Sequence, residues 1–184
     1  MASTARYRSG HTNPVAALVD TTYAIEKGDL VFQDPVTKKI RPASSMVDQL
    51  TETLNQDAFQ QFFLGVALER NGTQSGETVP LNSPLTHSPA NVIQVATSGD
   101  FEFACAAATW KTGDLVGAAE KSSGTALENQ TVKSAATASL AIGRAVPEAN
   151  AIGVSKTAVI VRIKSTILES GVVNQVTGSS SGVV

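Results

Sequence analysis

Few side chains in this sequence are suited to chemistry: two histidines, His11 and His87, and one cysteine, Cys105. Structural zinc sites use four closely spaced Cys or His ligands, whereas these three residues lie far apart in the chain. Cys105 belongs to an apolar run, residues 103–108, with no basic residue beside it. A thiol in such surroundings is typically buried and unreactive. We therefore expect two solvated loop histidines, no metal site and no cysteine–histidine catalysis.

Two further patterns resemble catalytic motifs but are better explained by turn chemistry. Residues 178–182 read GSSSG and fit G-x-S-x-G, yet only two residues follow them in the sequence. A nucleophile elbow requires an acid and a histidine further along the chain. Asp29 and Asp114 each follow a glycine, and Gly-Asp is a common turn pair because the Asp side chain bonds its neighbouring backbone. We expect a non-enzymatic protein without a cofactor.

The composition favours one β-rich domain. The chain has 184 residues, of which only 5% are aromatic, and Ala, Ser, Thr, Gly and Val dominate. Small and β-branched residues suit closely packed strands more than long amphipathic helices. The net charge of −2, with scattered Lys and Arg, disfavours nucleic acid as a partner. No stretch approaches the ~20 apolar residues of a membrane span, and no secretory signal is visible, so we expect synthesis in the cytoplasm and no membrane partner.

The chain divides into an arm, a β domain and a tail. Residues 1–20 are mostly polar and predict an extended N-terminal arm that ends as a strand. Residues 21–170 predict the β domain, with one helical segment at about 45–62 and a long loop, rich in Pro and Gly, at 71–90. Residues 171–184 predict a flexible tail because Gly and Ser dominate them.

The helical segment is predicted from the spacing of its apolar residues. Ser44 or Ser45 can cap its start, and Asn55 can divide it into two short helices. Apolar side chains recur at steps of three or four and predict one apolar face. The residues of this face are Val47, Leu50, Leu54, Ala58 and Phe62.

The second half of the sequence repeats the pattern of the first half. GDLV at 28–31 recurs 85 positions on, and FLGVA at 63–67 is echoed by AIGRA 78 positions on. The strand that begins at Val92 is echoed 67 positions on. Internal similarity of this kind indicates duplicated structural units. We predict a mainly β fold, a β-barrel or β-sandwich built from two similar β units, with one or two short helices and the N-terminal arm.

Several of these short segments occur in a familiar order. They are TARYRSG (4–10), GDLV (28–31), RPASS (41–45), FLGVA (63–67), VATSG (95–99), FEF (101–103), TGDLVGA (112–118) and AIGR (141–144). Their order resembles the small capsid decoration, or cement, proteins of tailed bacteriophages and prophages. The likeness runs from about residue 4 to about residue 166, but the 71–90 loop and the tail after residue 170 do not contribute to it.

This resemblance implies a structural virion protein that binds the outer surface of an assembled phage head. Such a protein bridges neighbouring subunits of the major capsid protein and helps the head to resist the pressure of packaged DNA. Members of this family often occur as trimers at threefold or quasi-threefold positions, so a homo-oligomer, with a trimer favoured, is also implied. The expected location is the outer capsid surface of the virion.

The expected contacts lie outside the β domain's own core. We expect residues 1–20 and the 71–90 loop to carry most contacts to capsid or partner subunits, because the β body requires neither. One basic concentration in the sequence, Arg6, Arg8 and His11, lies in the arm. These residues and Tyr7 are the candidate contacts, although a solvated terminal arm would have the same composition.

Two other functions are compatible with a β-rich chain. The first is a virion-associated binding module, such as a tail, fibre or glycan-recognition domain. It would require an aromatic-lined site, yet Trp110, Tyr7 and Tyr23 are the only Trp and Tyr residues, and sugar stacking on so few rings is unfavourable. The second is a hydrolase, which the shortage of histidines disfavours.

Overall fold

The chain is mainly β, as its content of small and β-branched residues predicts. The computed structural model describes residues 5–71, 92–122, 124, 126–146 and 154–172. Its strands, in chain order, are β1 (Arg6–Ser9), β2 (Pro14–Leu18), β3 (Leu30–Gln33), β4 (Ile40–Pro42), β5 (Phe63–Ala67), β6 (Val92–Ala96), β7 (Ser98–Thr109), β8 (Leu115–Glu120), β9 (Leu127–Ser134), β10 (Gly143–Ala145) and β11 (Ser155–Lys164). Two α-helices accompany them, α1 (Glu52–Gln61) and α2 (Thr166–Glu169).

Strands β7 to β11, which we call the C-terminal unit, form a closed five-stranded barrel. Their order is β7-β11-β10-β8-β9, and the ring closes because β7 and β9 pair in parallel at Ala104–Thr131 and Cys105–Val132. Strands β2 to β6, the N-terminal unit, form a sheet in the order β2-β6-β5-β3-β4. A parallel bridge between Val19 and Ile40 joins the two ends of this sheet.

The two units have the same topology. When the five strands of each unit are numbered 1 to 5 along the chain, both units have the spatial order 1-5-4-2-3. Leu30 pairs with Val66, and residues 85 and 78 positions on, Leu115 and Arg144, pair in the same way. The predicted fold of two similar β units is therefore confirmed, and its architecture is a barrel.

The third predicted offset is wrong by one position. Val95 pairs with Ala67 in the N-terminal unit, and Val161 pairs with Ala145 in the C-terminal unit. The equivalent positions of β6 and β11 are therefore 66 apart, not 67. Runs of Val and Ile align almost equally well at neighbouring offsets, so only the pairing register separates the two alignments.

Both units use the same Gly-Asp turn before their second strand. The Asp29 carboxylate accepts a hydrogen bond from Glu26 N at 2.9 Å, and the Asp114 carboxylate accepts one from Lys111 N at 2.7 Å. In return, the Asp29 backbone N–H donates to Glu26 O and the Asp114 backbone N–H donates to Lys111 O, both at 3.1 Å. The two aspartates thus stabilise their own turns, as predicted.

Asp29 also joins the two units. Its carboxylate accepts hydrogen bonds from Gln130 Nε2 at 2.8 Å and from Asn129 Nδ2 at 3.4 Å, both on β9. The residue is buried. Burial raises the pKa of the Asp29 carboxyl, although the hydrogen bonds from Glu26 and Gln130 oppose this shift.

The core of each unit is built from equivalent positions. Every buried residue of the apolar cluster inside the N-terminal unit has an apolar counterpart buried in the C-terminal unit. Each Val, Leu or Ile among them adds roughly 1.5–3 kcal/mol when fully buried, so the duplicated pattern encodes both cores. The pairs are Val19/Cys105, Ile25/Trp110, Val31/Val116, Ile40/Val132, Leu64/Ile142, Ala67/Ala145, Ile93/Val159 and Val95/Val161.

The helix predicted at 45–62 is shorter than expected. Residues 43–45 form one turn of 3-10 helix, and α1 begins at Glu52 and ends at Gln61 without a break. Thr51 caps α1 because its hydroxyl accepts a hydrogen bond from Leu54 N at 3.3 Å. Leu50 has a φ of +72°, outside the helical region, so the helix cannot extend through it.

The predicted apolar face of this segment is wrong at three of its five residues, whereas Phe62 packs partly buried against the core. Val47, Leu50 and Leu54 are exposed, whereas the buried residues of α1 are Phe59 and three amides, Asn55, Gln56 and Gln60. The amides bond to other elements: Asn55 Nδ2 to Glu120 Oε1 at 2.8 Å, Gln56 Nε2 to Ala118 O at 2.8 Å and Gln60 Nε2 to Thr166 Oγ1 at 3.1 Å. Hydrogen bonds, rather than apolar burial alone, therefore fix α1 against β8 and α2.

Part of the predicted arm lies within the sheets. β1 pairs with the start of β7, and β2 pairs with β6 at five consecutive positions. The arm at 1–20 and the tail at 171–184 remain predictions as domain boundaries. Most of the 71–90 loop, including His87, and most of the tail lie outside the described residues.

Candidate functional site

The four candidate contact residues are all exposed and lie on β1 and on the turn that follows it. Arg6, Tyr7 and Arg8 belong to β1, every residue of which is exposed, and His11 follows one turn later. β1 pairs with a single strand, β7, in the part of the chain that the structure describes. We call the surface formed by β1 and His11 the N-terminal surface.

Tyr7 is held in place although half of it is exposed. Its hydroxyl donates a hydrogen bond to Gly10 O at 2.6 Å, and its ring meets Phe101 edge to face with centroids 5.6 Å apart. The residue remains 51% exposed. A ring fixed in this way can cover a partner without losing much side-chain entropy, which makes Tyr a frequent interface residue.

Arg8 pairs with Glu102, which lies on β7. Both side chains are partly exposed, so the pair is screened by solvent and adds little to stability. Its effect is local, because it holds the Arg8 side chain against Glu102 of β7.

A second ion pair anchors the end of β1. Asp100 is almost fully buried and accepts hydrogen bonds from Arg162 Nε at 2.8 Å, Arg162 Nη2 at 3.0 Å and Ser9 Oγ at 2.8 Å. These bonds from Arg162, with a smaller effect from Ser9, lower the pKa of the Asp100 carboxyl below its ordinary value of 3.8. The network therefore links β1 to the barrel of the C-terminal unit.

This network predicts an acid-sensitive part of the stability. Because the folded-state pKa of Asp100 is lowered, its contribution is present above the ordinary pKa and is lost as pH falls through the folded value. We expect Arg162→Met to lower the free energy of unfolding by about 1–2 kcal/mol at pH 7. We expect the variant to lose less stability than the wild type below about pH 4, as measured by urea unfolding between pH 7 and pH 2. The double variant Asp100→Asn/Arg162→Met is the control, and its stability should depend on acid still less. If the free energy of unfolding falls with pH in parallel for the wild type and Arg162→Met, the assignment of the acid-sensitive stability to the Asp100–Arg162 pair is wrong.

A cleft of about 490 Å³ lies beside the N-terminal surface. His11 belongs to both, because it lines the cleft and its carbonyl accepts a hydrogen bond from Ser98 Oγ at 2.7 Å. Charged side chains from four elements, β7, β10, β11 and α2, line the same cleft. They are Asp100, Arg144, Arg162, Lys164 and Glu169.

Sequence reasoning identified His11 but missed the charged residues of the cleft. Asp100, Arg144 and Arg162 come from three strands that are far apart in the sequence, so no local motif contains them. One signal was present in the repeat: FLGVA at 63–67 is echoed by AIGRA, in which an arginine replaces a valine. A charge at a position that is apolar in the other copy marks a site that the shared fold does not require.

The other chemical candidates lie apart from this region. Cys105 is buried, as predicted, and burial raises the pKa of its thiol, which disfavours the nucleophilic thiolate. Among the described residues, no group of three or more His, Cys, Asp and Glu side chains could hold a metal ion. No helix within the described ranges is long and apolar enough to cross a membrane.

Two comparisons with known proteins gave no match. No protein-family model matches the chain, and a search of curated proteins finds no match. The assignment of a function therefore depends on the residues and their arrangement.

Proposed function

We propose that the chain is a capsid decoration, or cement, protein of a tailed bacteriophage. In this proposal it binds the outer surface of the phage head and bridges neighbouring major capsid protein subunits, which stabilises the shell. The order of the segments that resemble this family motivates the proposal. The observation that supports it best is the exposed N-terminal surface, which carries Arg6, Tyr7, Arg8 and His11 on a double-unit β body.

β1 offers two kinds of contact to a capsid subunit. It pairs on one side with β7, so in the described structure the backbone N–H and C=O groups of its other edge are available to an added strand. Strand addition of this kind gives main-chain hydrogen bonds with little dependence on side chains. Tyr7 and the arginines add residue types that are enriched at interfaces.

Many weak contacts can hold such a protein on a shell. A trimer at a threefold position presents three copies of the N-terminal surface to the lattice at once. Linked sites raise the overall affinity by orders of magnitude over one contact, provided that all of them can engage together. We therefore propose a homotrimer as the bound form, with the major capsid protein as partner and with neither nucleic acid nor a membrane involved.

The cleft favours this proposal over a glycan-recognition module. Its described lining contains no Trp, Tyr or Phe ring, and sugars are usually held by stacking on such rings. Tyr7 is anchored on β1 outside the cleft lining, beside the sheet edge.

The proposal predicts that β1 side chains carry binding to heads. We expect Arg6→Ser/Tyr7→Ser to weaken binding to expanded empty heads of the cognate phage by about tenfold or more, as for an interface hot spot. The matched control, Val36→Ser/Lys38→Ser, removes one cation and one apolar side chain from another exposed surface. It should bind heads like the wild type. Co-sedimentation with heads gives the occupancy, and thermal unfolding verifies that both variants fold; equal occupancy for the two variants would contradict the proposal.

A further inference from the structure

The first strand of each unit has an edge that one unit covers and the other leaves open. In the C-terminal unit this edge is covered, because β1 pairs with β7 at residues 100–102. Val15 and Phe101 are equivalent, since they pair with equivalent positions of β6 and β11. The matching edge of the N-terminal unit is therefore residues 14–16 of β2. Among the strands that the structure describes, only β6 pairs with β2, so this edge is open.

The backbone groups of Ala16 point away from the sheet. Leu68 N donates to Gln94 O at 2.9 Å, which directs the backbone groups of Gln94 toward the end of β5. Gln94 is the partner of Ala16 in the antiparallel β2–β6 ladder. Two facing residues of such a ladder bond to each other through both backbones or through neither, so the N–H and C=O of Ala16 point outward. The same direction applies to Leu18, two residues further on, and to Pro14, which has no N–H.

The side chains of β2 do not protect this edge. Folded proteins usually protect a free edge with charged side chains or a bulge, because an exposed edge pairs readily with another strand. β1 has both features, since it carries Arg6 and Arg8 and its ladder with β7 contains a register shift. β2 reads PVAAL, without a charge and without a register shift, and its Leu18 is 49% exposed. Its composition therefore fits an apolar partner strand.

A second β1 strand would not fit the edge of β2. On β7, Arg8 pairs with Glu102, and Ser9 Oγ donates to Asp100 at 2.8 Å. The positions of β2 equivalent to Glu102 and Asp100 are an alanine and a proline. Neither side-chain contact could form there, and the arginine would lose its carboxylate partner.

A second copy of β2 does fit this edge. When two β2 strands run antiparallel about a twofold axis at Ala16, the two alanines face each other and Leu18 faces Pro14 of the second copy. The outward backbone groups of the two alanines then bond to each other, and the Leu18 N–H donates to the Pro14 carbonyl. The side chains on the exposed face are Pro14, Ala16 and Leu18, so apolar residues meet across the strands.

We propose that β2 pairs antiparallel with β2 of a second copy, about a twofold axis at Ala16. Two five-residue strands bury less than the roughly 1,000 Å² of a stable interface. The contact is therefore weak between free molecules and becomes effective where copies are held side by side. The pairing follows from β2 itself, whereas its place on a phage head rests on the proposed function. On a shell with trimers at threefold positions, twofold axes relate neighbouring trimers, so β2 pairs would join trimers into a net.

Cysteine cross-linking tests the position of the axis. Facing residues of a hydrogen-bonded antiparallel pair have Cα atoms about 5.5 Å apart, a distance that a disulfide spans. Position 16 would face itself, whereas the two copies of position 18 would lie roughly 14 Å apart. We expect Ala16→Cys to form disulfide-linked dimers at least about tenfold faster than the matched control Leu18→Cys, because the pairing brings its thiols together. Cys105 is buried, and the wild-type chain gives its background.

A charge on the edge tests the pairing independently. Adding Leu18→Lys to Ala16→Cys should slow dimer formation at least about tenfold, since two lysines would enter the contact. Adding Val36→Lys instead, at a residue 85% exposed in a turn, should leave the rate unchanged. Thermal unfolding verifies that all variants fold. Equal rates for Ala16→Cys and Leu18→Cys, or a rate that Leu18→Lys does not change, would overturn the pairing.

Cross-linking in the presence of expanded heads separates this pairing from the proposed function. Fast Ala16→Cys dimers in solution, with no protein on the heads, would remove the function and keep the pairing. Protein that binds heads, with equal rates for the two cysteine variants, would remove the pairing and keep the function. If Leu18→Lys then also weakens head binding, the strand that occupies the β2 edge belongs to the major capsid protein and not to a second copy.

Discussion

Gly65→Ala and Gly143→Ala are each expected to destabilise the protein by at least about 3 kcal/mol. A Cβ atom at Gly65 would lie 1.9 Å from Ala96 O, and one at Gly143 would lie 2.4 Å from Arg162 O. Both obstructing atoms belong to the backbone of the neighbouring strand, so no side-chain rotation can relieve the overlap. Urea unfolding monitored by circular dichroism measures the loss.

Gly113 provides the matched control for these substitutions. It has a φ of +92°, but a Cβ atom there would meet nothing within 4 Å. Gly113→Ala should therefore cost only the backbone penalty of about 1–2 kcal/mol. If Gly65→Ala costs no more than Gly113→Ala, the strands are not as close as the structure shows.

The two glycines explain why the repeat keeps this residue. Gly65 and Gly143 are 78 positions apart and occupy the same position in β5 and β10. In each unit the glycine lets the fourth strand approach the fifth, at Ala96 and Arg162 respectively. The shared glycine thus has a packing reason, whereas the residue that follows it differs, Val66 in one unit and Arg144 in the other.

Asn55→Leu is expected to cost about 2–4 kcal/mol, although it adds an apolar residue to a helix. Asn55 is 1% exposed; its Oδ1 accepts a hydrogen bond from Gln49 N at 2.7 Å, and its Nδ2 donates to Asp48 and Glu120. Leucine would leave the Gln49 N–H without its partner. The neighbouring change Leu54→Asn, at a residue 52% exposed, should stay within about 0.5 kcal/mol of the wild type. Urea unfolding of both variants provides the comparison, and the reverse order of losses would contradict the observed orientation of α1.

The repeated units could be predicted from the sequence because their signals are local. The Gly-Asp turns at Asp29 and Asp114 are fixed by hydrogen bonds that span three residues, so a short motif contains the whole interaction. The apolar pattern of strands buried on one or both faces is likewise visible within a few residues. Recurrence of both signals at fixed offsets then predicted two matched β units.

The orientation of α1 could not be predicted because its partners are distant. Asn55 bonds to Glu120, and Gln56 bonds to Ala118, so the amides are satisfied by a strand about 60 residues further along. Without those partners, an apolar stripe is the best local signal for a buried helix face, and it selected Leu50 and Leu54. Buried amides are stable only when their hydrogen bonds are made, which the sequence alone does not show.

The candidate site was predicted in part for a similar reason. The basic residues of β1 are neighbours in the chain, and the structure keeps Arg6, Tyr7 and Arg8 exposed on one strand. The cleft beside them is assembled by the β7–β11–β10 pairing, which brings Asp100, Arg162 and Arg144 into one row. Which residues face each other in this row depends on the strand pairing register. The sequence repeat predicted the offset between β6 and β11 wrongly by one position, so it could not predict the row.

Binding of the wild-type chain to heads tests the proposed function most directly. The purified protein is sized by chromatography with light scattering, then mixed in increasing amounts with expanded empty heads of the cognate phage, and the bound copies per head are counted. A stable trimer, or a monomer that saturates the heads at a regular copy number, is the result that the decoration role predicts. A monomer that stays in solution at every concentration, with no copies on the heads, would contradict it.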